Sequence, residues 1–248
     1  MNILEKIVRD LRPDLERRKR EIPLAEKDFP CVPSLRSAMP GIIAELKKAS
    51  PSKGLIREHF PVTELAESFE RSGASAISVL TEPNYFLGSL DYLKAVSKRV
   101  KIPLLRKDFI FDRYQILEAR HAGASAILLI AAMLEQDQLL NLARYARELD
   151  LDVLGEAHDA EEIKRLLDSP VTLIGVNARN LKTFVTDLDL VTELISNIPA
   201  DRFPVAESAI TSAADIHRLR QAGAKGFLIG ETLMRAPVPG NKLAELLQ

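Results

Sequence analysis

Apolar positions along the chain follow two alternating rhythms. Short runs of aliphatic and β-branched residues occur at 42–47, 76–82, 103–109, 126–132, 152–157, 173–179, 203–208 and 226–231. Each has the length and continuity of a strand buried on both faces. Between them, at 62–71, 114–121, 136–149, 160–167, 189–195 and 213–221, apolar and charged residues recur at helical spacing. That spacing gathers the apolar residues into one stripe of a helix. Three junctions share a motif: Ser72-Gly73-Ala74-Ser75-Ala76-Ile77, Ala122-Gly123-Ala124-Ser125-Ala126-Ile127 and Ala222-Gly223-Ala224-Lys225-Gly226-Phe227. At each, a helix ends, a glycine able to take positive φ turns the chain, and a buried strand begins.

Strands that alternate with helices are parallel and joined by right-handed crossovers. Eight such units predict an α/β fold, a single (β/α)8 TIM barrel. The competing arrangement is a doubly wound open sheet, which usually has fewer strands. Its dinucleotide-binding form carries GxGxxG after the first strand. Here the first strand runs instead into Lys48-Ala49-Ser50-Pro51-Ser52-Lys53-Gly54. Residues 1–40 do not fit the repeat. Ile3, Leu4, Ile7, Val8 and Leu11 share one face of a helix expected over 2–20, and a proline-punctuated segment follows. The domain reading is an N-terminal helical extension over 1–40, packed on a barrel catalytic domain over 41–248.

Composition narrows the function classes. The 248 residues carry 34 basic and 35 acidic side chains, a formal net charge of −1. That gives no electrostatic ground for a nucleic-acid partner. Cys31 is the only cysteine, so neither an intramolecular disulfide nor a CxxC metal site can form. A reducing, cytoplasmic location is expected. No stretch approaches the ~18 consecutive apolar residues that span a bilayer, so no membrane partner is expected. The charges spread through the first 21 residues do not fit a secretory leader. His59, His121, His158 and His217 show no metal-ligand spacing and are not assigned to catalysis. No GxSxG elbow occurs.

In a barrel of this kind the active site lies at the C-terminal ends of the strands. Side chains two apart share a face. Strand one ends in Glu45 and Lys47, pointing the same way. Strand three ends in Lys107, strand five in Glu156, and strand six in Asn177 and Arg179. Strand seven ends in Glu207 and Ser208, expected on opposite faces, and strand eight in Ile229-Gly230-Glu231. One charge at a strand end is ordinarily just a solvated sheet edge. Three carboxylates and three cations converging on one mouth are not, because buried charges cost several kcal/mol unless paired. Mixed signs at close range also separate pKa values, which acid–base catalysis needs. Lys107 is expected between like charges that favour its neutral amine and carboxylates that oppose them. A phosphate site is expected in the loops after strands seven and eight, from Ser208-Ala209 and Gly230-Glu231, with Ser50 arriving from the first loop.

These motifs resemble the indole-3-glycerol-phosphate synthase family of tryptophan biosynthesis. The resemblance rests on Ile43-Ala44-Glu45-Leu46-Lys47-Lys48-Ala49-Ser50-Pro51-Ser52, Leu105-Arg106-Lys107-Asp108-Phe109-Ile110 and Ile174-Gly175-Val176-Asn177-Ala178-Arg179-Asn180-Leu181. Gly155-Glu156-Ala157-His158, Ala206-Glu207-Ser208 and Phe227-Leu228-Ile229-Gly230 support it. It covers essentially the whole chain, the N-terminal extension included. The length leaves no room for the phosphoribosylanthranilate isomerase domain fused to some members.

The resemblance implies ring closure of 1-(2-carboxyphenylamino)-1-deoxyribulose 5-phosphate with loss of carbon dioxide and water, without cofactor or metal. It implies Lys107 as general acid and Glu156 as base, with Glu45 beside it. Lys47 either pairs with the substrate carboxylate or serves as a second proton donor. Asn177, Arg179 and Glu207 would hold the substrate, and Ser50, Ser208 and Gly230 the phosphate and substrate, with Ala209 and Glu231 beside them. The partner implied is one small phosphorylated molecule, on a monomer or at most a weak homodimer.

Departures are few. Ala209 replaces the glycine common after Glu-Ser, which costs backbone freedom where positive φ is needed. Ala49 replaces a basic residue of some members, and Glu231 looks unfavourable beside a phosphate. Two other functions compete. A sugar-phosphate isomerase on the same barrel would favour a Cys/Asp pair at strand ends, whereas Cys31 precedes strand one. An inactive scaffold barrel would have lost the strand-end charges.

Overall fold

The computed structural model describes residues 3–26, 29–177 and 187–248. Helix α1 (Ile3–Glu21) comes first. Its Leu4, Ile7, Leu11 and Leu15, three and four apart, form the buried stripe. The barrel strands follow as β1 (Gly41–Leu46), β4 (Ala76–Leu80), β5 (Leu104–Lys107), β6 (Ala126–Ile130), β7 (Asp152–Ala157), β8 (Leu173–Val176), β9 (Phe203–Ala206) and β10 (Gly226–Ile229). They close in the order β1-β10-β9-β8-β7-β6-β5-β4 with every pair parallel. This is the predicted TIM barrel.

The outer layer holds α2 (Val62–Arg71), α3 (Leu90–Val96), α4 (Arg113–His121), α5 (Gln136–Glu148), α6 (Ala160–Leu167), α7 (Leu188–Ser196) and α8 (Ala213–Gln221), closed by α9 (Glu231–Arg235) and α10 (Pro239–Leu246). Local chemistry marks their starts. Asp112 and Gln115 form a capping box on α4, Ser212 and Asp215 one on α8, and Asp159 caps α6. The three shared junctions behave as their glycines require, with φ of 95° at Gly73, 87° at Gly123 and 110° at Gly223.

Several strands stop short of the expected bounds. The runs 76–82, 103–109, 173–179 and 203–208 end at Leu80, Lys107, Val176 and Ala206. Near the mouth, side chains replace the ladder as backbone partners. Glu82 accepts the N–H groups of Asn84, Tyr85 and Phe86 at 2.7–2.9 Å, and Asp108 accepts that of Phe109 at 2.8 Å. The run 126–132 turns into a 3-10 turn at Ala131–Met133, and Gly230 caps α9 instead of continuing a strand. A small hairpin, β2 (Ala49–Ser50) against β3 (Gly54–Leu55), occupies what reads as a plain loop.

The extension lies against the mouth of the barrel. Tyr85, in the loop after β4, donates its hydroxyl to Asp10 at 2.6 Å. Lys19 pairs with Asp112 at 2.9 Å, Arg18 pairs with Glu118, and Tyr114 donates to the Ile22 carbonyl at 2.7 Å. These contacts bring Ile3, Leu4 and Ile7 to the wall of the mouth cavity.

Candidate active site

The cavity begins with what each strand delivers at its end. Glu45 is the fifth residue of β1, and Lys47 follows the strand; their side chains meet at 2.5 Å between Nζ and Oε2. Lys107 ends β5 and donates from Nζ to Glu156 Oε2 of β7 at 3.1 Å, with Glu207 Oε2 at 3.8 Å. Asn177, just past β8, donates from Nδ2 to Glu156 Oε1 at 3.2 Å and accepts the hydroxyl of Ser208. Glutamate 156 is thus gripped on both oxygens. Leu105 and Leu154 sit two residues below Lys107 and Glu156 and are fully buried, so the charged layer rests on an apolar floor.

Two glycines make room for the carboxylates. A Cβ on Gly175 would lie 1.9 Å from Glu207 Oε1, and one on Gly230 would lie 2.0 Å from Glu45 Oε2. No side chain fits at either position while the carboxylates keep their places.

Burial and neighbours set the charge states. Burial works against the Lys107 ammonium, but Glu156, Glu207 and Glu45 outweigh it and raise its pKa above the ordinary lysine value. The expected balance therefore tips to one side: carboxylates surround this amine, and the amine stays charged. Burial also opposes the Glu156 carboxylate, yet Lys107 and then His158 pull it well below the ordinary range. Glu207 goes the other way. Burial, reinforced by Glu156 and Glu45, raises it well above that range, against the pull of Lys107. Glu156 and Glu207 are thus pushed in opposite directions within one mouth.

The cavity has two unlike ends. One is apolar, walled by Ile3, Leu4 and Ile7 of α1 and by Leu80, Phe86, Phe109 and Ile130. The other is bounded by Ser208, Ala209, Thr211, Gly230, Glu231, Thr232 and Arg235. Glu45, Lys47, Glu207 and Ser208 border both. Ala209 adopts φ of 65°, the left-handed conformation in which a glycine would be unstrained. The carboxylate of Glu231 is engaged by Arg235 Nε at 2.9 Å, with Lys53 Nζ at 4.0 Å.

Glu45, Lys47, Ser50, Lys107, Glu156, Asn177, Glu207 and Ser208 line one cavity, and Ala209, Gly230 and Glu231 line its continuation. Arg179 lies outside the described residues. Glu207 and Ser208, expected on opposite faces, both reach the cavity because β9 ends at Ala206 and the strand alternation ends with it. Three features escaped the sequence reading: the apolar wall from α1, the space made by Gly175, and His158, whose Nε2 lies 3.4 Å from Glu156 Oε1. A glycine within a strand marks a close approach and was the available signal for the second. Proximity to Glu156 in sequence was the signal for the third.

A family model described as indole-3-glycerol phosphate synthase matches residues 4–246. The chain belongs to the indole-3-glycerol phosphate synthase family. It is 54% identical over 196 residues to the indole-3-glycerol phosphate synthase of Aliarcobacter butzleri, covering 79% of this chain and 74% of that protein. It is 49% identical over 212 residues to that of Albidiferax ferrireducens, covering 86% and 80%. It is 43% identical over 259 residues to that of Burkholderia multivorans, covering 99% and 98%. As an indole-3-glycerol phosphate synthase the chain is a carboxy-lyase. It closes the indole ring of 1-(2-carboxyphenylamino)-1-deoxyribulose 5-phosphate in tryptophan biosynthesis, releasing carbon dioxide and water.

Among solved structures, 3-hexulose-6-phosphate synthase aligns with a TM-score of 0.66 at 13% identity, over 83% of this chain and 97% of that one. A mutant tryptophan synthase α-subunit from Pyrococcus furiosus aligns with a TM-score of 0.61 at 15% identity, over 84% and 98%. These likenesses are to the barrel fold. No helix among the described residues is long and apolar enough to cross a membrane.

Proposed function

We propose that Lys107 is the general acid of ring closure and Glu156 the base that completes the indole. The observation that carries this reading is the Lys107–Glu156 contact of 3.1 Å, set between an apolar end and a polar end. The substrate has a matching order: an aromatic acid, a ketose chain, a phosphate. Its ring packs against Ile7, Phe86 and Phe109, and its phosphate meets the loops of Ser208-Ala209 and Gly230-Glu231, with Ser50 at the rim.

The ring carbon that bears the carboxylate attacks the ketone carbon. Lys107 gives its proton to the ketone oxygen as negative charge builds there. The carboxylate leaves as carbon dioxide, and its electron pair restores the aromatic ring. The new hydroxyl then takes a proton from Lys47, the second ammonium at the mouth, and departs as water, pushed by the ring nitrogen; the resulting iminium loses a carbon-bound proton to Glu156. Glu45 stabilises the iminium by charge. Lys47 faces the substrate carboxylate, and Asn177, Arg179 and Glu207 hold the substrate. Residues 1–40 serve as an extension that closes the apolar end of a catalytic barrel spanning 41–248. The enzyme works in the cytoplasm as a monomer, without metal, cofactor or nucleic acid; sedimentation reads the alternative, a weak homodimer.

The test follows indole-glycerol phosphate by fluorescence without added metal or nucleotide. General acid catalysis contributes about 10²–10⁴-fold. Lys107→Ala is expected to lower kcat by at least about that much, with a far smaller change in substrate Kd. Near-normal kcat together with a collapsed unfolding midpoint would assign Lys107 to the fold instead.

A further inference from the structure

One buried polar atom faces the reaction centre without a part in the steps above. His158 follows directly on β7, two residues beyond Glu156, and its side chain is 12% exposed. Its backbone N–H and its Nδ1 both meet Glu162 Oε2, at 2.8 and 3.0 Å. Glu162 belongs to the first turn of α6, where its own N–H is held by Asp159 at 2.8 Å. The ring is therefore fixed from behind. Its Nε2 lies 3.4 Å from Glu156 Oε1 and has no hydrogen-bond partner among the described residues.

An ionised carboxylate only accepts hydrogen bonds, and a ring nitrogen facing one carries a proton. Carboxylate oxygens lie on both sides of this ring, so both nitrogens are protonated and the ring is an imidazolium. The charged groups around it agree. Glu156 faces it from β7, and Glu162 and Asp159 from the start of α6. Lys107 on β5, Glu45 on β1 and Glu207 just past β9 lie beyond Glu156. Burial opposes the imidazolium, but Glu156 and Glu162 outweigh it and carry the ring's pKa to about 10.

The consequence lies in the order of proton transfers. Two cations face Glu156: Lys107 on Oε2 and His158 near Oε1. Lys107 gives up its proton in ring closure, before Glu156 acts. From then on the imidazolium is the cation still facing that carboxylate. We propose that His158, held by Glu162, is a positioning residue that keeps Glu156 anionic and oriented through the second half of the reaction. The proposal rests on the assignment of Lys107 as acid and Glu156 as base.

The experiment measures kcat and KM against pH, with unfolding midpoints, for His158→Gln, Glu162→Gln and Glu156→Gln. A nearby opposite charge lowers a carboxylate pKa by about 1–3 units. His158→Gln, neutral but still a donor, is expected to move the acid limb of kcat up by about one pH unit or more, with KM little changed. Glu162→Gln is expected to move the alkaline limb down, because the ring then loses its proton earlier. Limbs that stay in place in both variants overturn the proposal, even if the midpoints fall. Should His158→Gln fail to fold, an unmoved alkaline limb in Glu162→Gln overturns it alone. Full turnover in Glu156→Gln would instead remove Glu156 as base, a failure of the underlying assignment that is read independently of His158.

Discussion

A single backbone angle shows what one residue can cost. Ala209 holds φ of 65° in the loop after β9, between Ser208 and the rest of the cavity's polar end. A Cβ in the left-handed region costs about 1–2 kcal/mol. Glycine removes that strain but costs about 0.5–1 kcal/mol in the flexibility it adds to the unfolded chain. The difference favours glycine. Ala209→Gly is expected to raise unfolding free energy by about 0.5–1 kcal/mol, read from a denaturant titration. A loss of stability would mean that the loop relaxes away from this conformation in solution. Glu231, two loops away in sequence but beside the same end, shows the opposite case. Its charge looks unfavourable for phosphate on paper, yet Arg235 and Lys53 engage it.

At the scale of elements, β5 carries two jobs on alternate residues. Lys107 points into the mouth. Arg106, one residue earlier, points into the helix layer and is 2% exposed. It donates to Asp108 Oδ2 at 2.8 Å, to the Gln115 carbonyl at 2.6 Å and to Thr81 at 3.1 Å, and pairs with Glu118 at 3.4 Å. Glu118 in turn receives Arg18 of α1. One buried guanidinium thus ties the strand that bears Lys107 to α4 and, through Glu118, to the extension. Removing one partner of a buried charge network leaves the others uncompensated, at about 3–5 kcal/mol. Arg106→Met is expected to lose about that much unfolding free energy. A loss under about 1 kcal/mol, the worth of an exposed pair, would show that the network is solvated.

The same strand shows which features the sequence could reveal. Leu105, Lys107 and Phe109 alternate in phase, so the site-facing residue was legible from spacing alone. The role of Arg106 was not, because Thr81, Gln115 and Glu118 come from beyond β4 and from α4 and only the closed barrel brings them around it. The eight strands were legible as short continuous apolar runs, and most helices because each buries a periodic apolar stripe. Helix α10 was not. It opens with Pro239-Gly240, which reads as a turn, although proline suits a first helical turn and Gly240 lets α2 approach, a Cβ there lying 2.3 Å from Ser68 Oγ. The strand-end charges were legible as a group. The separate charge states of Glu156 and Glu207 were not, since they follow from distances across the barrel.

For the whole molecule, those charge states predict how stability follows pH. A group whose folded pKa is lowered contributes fully above its unfolded value and loses that contribution as pH falls. Glu156 is such a group, so its contribution disappears only in acid, below the ordinary value of 4.5. Groups raised in the folded state contribute fully below the unfolded value and lose it as pH rises. Lys107 is one, and holds its contribution past 10.5. Glu207 is another, fading as pH rises above 4.5. His158 carries the widest neutral-to-alkaline window, from 6.5 in the unfolded chain to about 10 in the fold. Across that window the folded chain holds a proton that the unfolded chain has released, so stability must fall as pH rises. The denaturant midpoint of the wild-type protein is expected to decline steadily between pH 6.5 and about 10. In His158→Gln the decline should be shallower, because the group that carries this window is gone. Equal slopes in the two proteins would show that the imidazolium is not held in the fold, and that Glu156 owes its low pKa to Lys107.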